Sequence, residues 1–259
     1  MPKTAAAHSR AALVVVVLSF AFTGSPASAA EDSGSSPVIQ VDANGGYVPL
    51  EVMQGNVPEV TVTADGRVIV QKTNVRYDRM ARLRISQISK ERIQEMLARA
   101  FELGLLDRGD GKDYGSPGVT DQPSTTVTIT INGERFFTSV YALGFDAEDL
   151  NNEQQANREE LSEFISDIAH TRPRRPFEPT AIAVLATPVD DVEGTIVEWP
   201  LAGLASRCVI VAGADLDLVL PLAERSSYAT RWHSGESDWR IVFRPLLPDE
   251  HTCQDIGVL

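Results

Sequence analysis

The run Thr125-Thr126-Val127-Thr128-Ile129-Thr130-Ile131-Asn132-Gly133-Glu134-Arg135-Phe136-Phe137-Thr138-Ser139-Val140-Tyr141 decides the fold class. Asn132-Gly133 stands between two β-rich stretches, and both residues tolerate the positive φ that a two-residue hairpin turn needs. A loop of that length pairs Ile129 with Phe136 and Val127 with Thr138, and places Val140 on the same face. The opposite face carries Thr126, Thr128, Thr130, Arg135 and Ser139, with Phe137 and Tyr141 as exceptions. One buried face and one wet face is the signature of an antiparallel sheet.

Helices flank this hairpin. Upstream, Ile93, Met96, Leu97, Ala100 and Phe101 recur at helical spacing. Ser89 is the expected N-cap, Glu91 suits the positive helix end, and Gly104 fits the left-handed position past the C-terminus. Downstream, Asn152 to Ala169 reads as a second helix with Leu161, Phe164, Ile165 and Ile168 as its apolar stripe. Leu106 to Ser124, rich in Gly and Pro, is a polar loop.

Further upstream, Pro58 to Gln71 reads as another hairpin, turning at Asp65-Gly66. A two-residue loop there sets Val62 opposite Ile69 but puts Val68 and Val70 on the Thr61/Thr63 face. Both faces must then be covered, or a bulge must re-aim one strand. Tyr47 to Met53 has strand character, and Glu31 to Gly46, rich in Ser, Gly and Asp, reads as a flexible leader. Hairpins alternating with helices imply an α+β domain over 47–170, a two-layer sandwich with helices on one face of an antiparallel sheet.

Thr171 to Pro179, with three prolines and Arg172, Arg174 and Arg175, is expected as a stiff linker at 171–179. Its arginines have two readings, docking on an acidic partner or meeting the acidic surface of the chain itself. Residues 180–259 form a smaller α/β subdomain. Strand-like runs occur at Ala181–Ala186, Thr195–Trp199, Arg207–Ala212 and Trp239–Arg244. Asp215 to Ala229 reads as a helix, although its start also suits a strand and Pro221 is tolerated only in a first helical turn.

The N-terminus predicts export. Lys3 and Arg10 precede an apolar run from Ala11 to Phe22, and Ala27-Ser28-Ala29-Ala30 follows a Gly/Pro break. That is a signal peptide over 1–30, cleaved after Ala29 or Ala30. The run is too short to cross a bilayer, so no stable membrane insertion is expected after cleavage. Its removal takes away two basic residues and no acid, leaving the rest more negative than the −13 of the whole chain. Such a surface repels phosphate backbones, which excludes nucleic acid as a partner class. Two cysteines in an exported chain, Cys208 and Cys253, read as one disulfide.

Motifs of chemistry are absent from the sequence. There is no Gly-x-Ser-x-Gly elbow, no His-Glu-x-x-His, no phosphate loop and no dinucleotide fingerprint. A triad could only draw on His170, His233 and His251. Asp107, Asp110 and Asp113 lack the spacing of a calcium loop. Trp199, Trp232 and Trp239 fit a core better than a binding surface. No catalytic, cofactor or metal residue is therefore assigned.

Asp65-Gly66-Arg67-Val68-Ile69, Tyr114 to Asp121, Thr125 to Thr128, Gly133, Tyr141-Ala142-Leu143-Gly144, and Arg244-Pro245-Leu246-Leu247-Pro248-Asp249-Glu250 with Cys253 resemble a group of exported actinobacterial proteins of unknown function. The resemblance covers most of the chain after residue 30 and implies no activity. The expectation from sequence is a secreted or envelope-located, non-enzymatic binding protein for an extracellular protein or a small ligand. The alternatives are a secreted hydrolase with a scattered site and a structural envelope protein. A deep polar cleft holding two carboxylates, or a His with a carboxylate, would favour the hydrolase, and a flat exposed apolar patch the binding protein.

Overall fold

A computed structural model describes residues 34–72, 78–107, 111–145, 149–172, 174–190, 196–204 and 207–258. The expected signal peptide lies outside the described residues, as do Asp110 and the start of the expected leader.

In chain order the elements are β1 (Pro37–Gly45), α1 (Leu50–Gln54), β2 (Val60–Thr63), β3 (Arg67–Gln71), β4 (Leu83–Gln87), α2 (Lys90–Glu102), β5 (Pro123–Ile131), β6 (Glu134–Tyr141), α3 (Asn152–Ala169), β7 (Arg175–Pro176), β8 (Ala181–Val189), β9 (Ile196–Glu198), β10 (Cys208–Ala212), α4 (Ala214–Ala223), β11 (Arg231–Ser234) and β12 (Ser237–Pro245). Seven strands form one sheet in the order β6-β5-β1-β2-β3-β4-β7, and five form another in the order β10-β8-β12-β11-β9. Among the described residues every pairing is antiparallel except β9 with β11. The fold is α+β, with helices α2 and α3 packed on one face of the larger sheet.

The Asn132-Gly133 hairpin has the register its turn dictates, Ile129 opposite Phe136 and Val127 opposite Thr138. Both turn residues take positive φ. At Asp65-Gly66 the register differs by one residue: Val62 faces Val68, Val60 faces Val70 and Thr61 faces Ile69. The loop has three residues, Ala64 to Gly66, with Gly66 at φ 89°. A three-residue loop ending in a left-handed residue is the next commonest hairpin after the two-residue type. It returns all four valines to one face, and both faces of β2 are buried.

Helix α2 ends as its sequence dictates. Ser89 Oγ accepts from Arg92 N–H, and Gly104 adopts φ 73° while Leu105 N–H reaches back to the Ala100 carbonyl. Phe101, expected on the buried stripe, is 67% exposed. Ile93, Met96 and Ala100 suffice to meet the sheet, with Leu161, Phe164 and Ile168 of α3 beside them. Arg158 of α3 is buried and donates to the carbonyls of Tyr114, Tyr141 and Ala142, tying the helix to the loop at 114 and to the end of β6.

Three expectations are corrected. The stretch expected as a flexible leader over 31–46 contains β1, a central strand between β5 and β2. Ile39 and Val41 are fully buried against Ile129, Val127 and Val62. Long-range pairing on both sides stabilises what its polar composition does not announce. Tyr47 to Met53, expected as a strand, leads into the short helix α1. Pro221 lies in the last turn of α4, which stops at Ala223 rather than at Ala229.

The second sheet buries Ile182, Val184, Ile241 and Phe243 under Leu216, Val219 and Ala223 of α4. Trp199 and Trp232 belong to this core, ring centroids 5.8 Å apart and edge to face, with Phe243 against both. Cys208 and Cys253 are bonded, holding the tail to β10. The segment at 171–179 lies where the chain passes from one sheet to the other, and its Arg175-Pro176 adds β7 to the edge of the larger sheet. A proline is tolerated there because an edge strand leaves one side unpaired. The described residues form one compact unit. The sheets meet where Val57, Ile69, Leu83 and Ile85 pack on Phe177 and Leu247.

Candidate functional site

The three histidines among the described residues occupy unlike environments. His170 caps α3, with its Nδ1 2.7 Å from the Ser166 carbonyl oxygen. His251 is exposed in the tail, where its backbone N–H donates to Asp255. His233 is the one with a carboxylate partner: its Nδ1 lies 2.7 Å from Asp238 Oδ1. The register explains the pairing, because His233 stands opposite Asp238 on β12 and opposite Glu198 on β9. The Asp238 hydrogen bond, with help from Glu198, raises the His233 pKa above its ordinary value. The three residues line an open groove of about 610 Å³ together with Asp190, Glu236 and Ser237.

This groove lacks the other parts of a hydrolytic site among the described residues. No hydroxyl there reaches His233, and Ser234 Oγ accepts from Leu204 N–H. His233 and Asp238 are 38% and 23% exposed, so the pair is not desolvated. No three His, Cys, Asp or Glu side chains converge as a metal set among the described residues. Asp113 accepts from Gly115 N–H and from the Gln154 amide, so its carboxylate serves as a loop latch.

A second concavity has the opposite charge. At the β4–β7 edge a cavity of about 330 Å³ is lined by Lys72, Arg79, Arg82 and Arg84, with Glu224 as the acid among its lining residues. Strand pairing gathers the cations. Arg84 faces Val70 on one side and Pro176 on the other, and one step beyond that ladder Lys72 N–H donates to the Arg82 carbonyl. Phe177, whose N–H donates to the Leu83 carbonyl, and Met80 supply apolar wall. Glu224 ends α4 and Pro245 ends β12, so both sheets contribute.

The cations are poorly neutralised. None of the four forms an ion pair among the described residues. Arg79 Nε is buried without a hydrogen-bond partner, and its Nη1 makes a long 3.5 Å contact to the Arg225 carbonyl. The cationic surface continues past β4. Arg174 has its pKa lowered, first by burial and then by Arg172 and Arg84, and its Nη2 is also buried without a partner.

Arg79 is held in place from the rear. Tyr228 donates its hydroxyl to the Arg79 carbonyl and its N–H to the Asp78 carbonyl. Burial, with Asp78 and Glu51 adding to it, pushes the Tyr228 phenol up to about 12, so it stays a neutral donor. Gly55 closes this contact: a Cβ there would collide with the Tyr228 hydroxyl.

Sequence reading singled out neither Lys72 nor Arg79, Arg82 and Arg84. The available signal was four arginines between Arg76 and Arg84 in a chain of net charge −13. No family model, no curated protein and no solved structure matches this chain.

Proposed function

We propose that this is an exported, non-enzymatic binding protein whose ligand seats in the cavity at the β4–β7 edge. The observation that carries the reading is that cavity: residues from both sheets enclose it, and cations line it in a chain of opposite overall charge. Its volume lies at the small end of the range for ligand pockets. The single disulfide, the signal-like N-terminus and the resemblance to exported actinobacterial proteins support an extracellular or envelope location. Native mass spectrometry of the secreted protein tests the reading. A bound small molecule of defined mass is expected, retained by wild type and lost when the rim is filled by Glu224→Trp. An empty cavity in both proteins would refute it.

The His233–Asp238 pair in its groove favours a second reading, an exported hydrolase. Turnover in a broad hydrolase screen, abolished by His233→Ala and by Asp238→Asn, would establish that reading and displace the first.

A further inference from the structure

We infer that the cavity selects a small oxyanion carrying at least two negative charges and an apolar portion. The inference rests on the binding reading above and adds the chemistry of the ligand. Four cationic side chains line about 330 Å³, with Glu224 as their acidic counterpart there. Like charges gathered without partners repel one another, and an entering anion relieves that repulsion. Arg79 lines the cavity with an under-used guanidinium, whose Nη1 makes only a long 3.5 Å contact to the Arg225 carbonyl. A phosphate or carboxylate oxygen is the acceptor that forms the stronger, charge-assisted bond.

The rest of the lining sets a second requirement. Met80, Leu83 and Phe177 present apolar surface beside the arginines. A fully solvated inorganic ion leaves that surface unused, whereas an organic phosphate or polycarboxylate covers it. The acidic body of the chain repels anions elsewhere, so the cavity is the place where such a ligand gains.

Isothermal titration of the chain from residue 31 onward with phenyl phosphate and with phthalate, each a dianion with an apolar ring, tests this, and which probe binds separates phosphate from carboxylate chemistry. One-to-one binding that weakens with rising salt is expected. Arg82→Glu is expected to weaken it about tenfold or more, and Glu224→Gln to strengthen it severalfold. Lys90→Glu on α2 changes the net charge as much as Arg82→Glu does and is expected to leave binding unchanged. Opposite signs at Arg82 and Glu224 are not produced by a loss of stability. Failure of wild type to bind either anion, or equal weakening by Lys90→Glu and Arg82→Glu, overturns the inference. If wild type binds neither anion while native mass spectrometry shows an uncharged ligand lost in Glu224→Trp, the ligand class is wrong and the binding reading stands. If no ligand is found either, both fall.

Discussion

Replacing Glu250 by alanine strikes the joint that holds the last strand, the tail and the loop after α1 together. Arg244 of β12 is 5% exposed and places both terminal nitrogens on the Glu250 carboxylate, at 2.6 and 2.7 Å. Its Nε donates to the Asn56 carbonyl at 2.7 Å, and Glu250 also accepts from Leu247 N–H at 2.7 Å. Removing the carboxylate leaves a buried guanidinium without its counter-charge and strands the Leu247 N–H. Breaking a buried pair in this way costs about 3–5 kcal/mol. Asp42 still attracts Arg244 and the Asn56 carbonyl still accepts from it, which places the loss near the lower end. At this chain length each kcal/mol moves the melting temperature by about 2–4 °C, so a loss of about 3 kcal/mol is expected as a fall of about 6–12 °C. The double variant Arg244→Met with Glu250→Leu removes both charges together. It leaves unpaired acceptors at Asn56 and, from a longer 3.4 Å contact, at Pro245, and one unpaired donor at Leu247, at about 1 kcal/mol each, well below the sum of the two single losses. Urea denaturation of wild type, Arg244→Met, Glu250→Leu and the double variant closes the cycle, with Glu250→Ala measured beside them. A loss below about 1 kcal/mol for Glu250→Ala, the behaviour of an exposed pair, refutes the reasoning, and so does an additive double variant.

Three further outcomes are expected. Cys253→Ser opens a link across 45 residues and is expected to cost about 4 kcal/mol in chain entropy, read as a lower denaturation midpoint with early exchange of the Leu246–Val258 amides. His233 gains Asp238 on folding and its pKa is raised, so its contribution is fully present below the unfolded-state pKa and is lost as pH rises through the folded one. NMR titration of His233 is expected to show that raised value in wild type and a return toward the ordinary value in Asp238→Asn. Gly55→Ala forces a Cβ against the Tyr228 hydroxyl and is expected to cost about 1–3 kcal/mol, measured by thermal unfolding, with Gly55→Ala in a Tyr228→Phe background recovering part of the loss.

What was legible in the sequence follows from how locally each feature is determined. Asn132-Gly133 fixes a loop length, and the loop length fixes the register of every pair in β5 and β6. Helix α3 was readable to its bounds because Asn151 and Gln154 form a reciprocal capping box at its start. β1 was not readable, because two buried positions among Ser, Gly and Asp become a strand only through partners at Val60–Thr63 and Pro123–Ile129. The same holds for β4 and β11, short strands whose apolar residues find their places through neighbours in the sheet. The cavity was less readable still. Its walls come from Lys72, Arg79–Arg84, Pro176, Phe177, Pro179, Glu224 and Pro245, and no spacing along the chain connects them. Net acidity was plain from composition, but the clustering of cations around this cavity appears only after the sheets pack.

The most direct test of the account is NMR chemical-shift mapping of the chain from residue 31 onward during titration with phenyl phosphate and with phthalate. The account predicts saturable shifts for at least one probe at the amides of Lys72, Arg79, Arg82, Phe177 and Glu224. Shifts centred on Glu198, His233 and Asp238, or no saturable shifts at all, would contradict it.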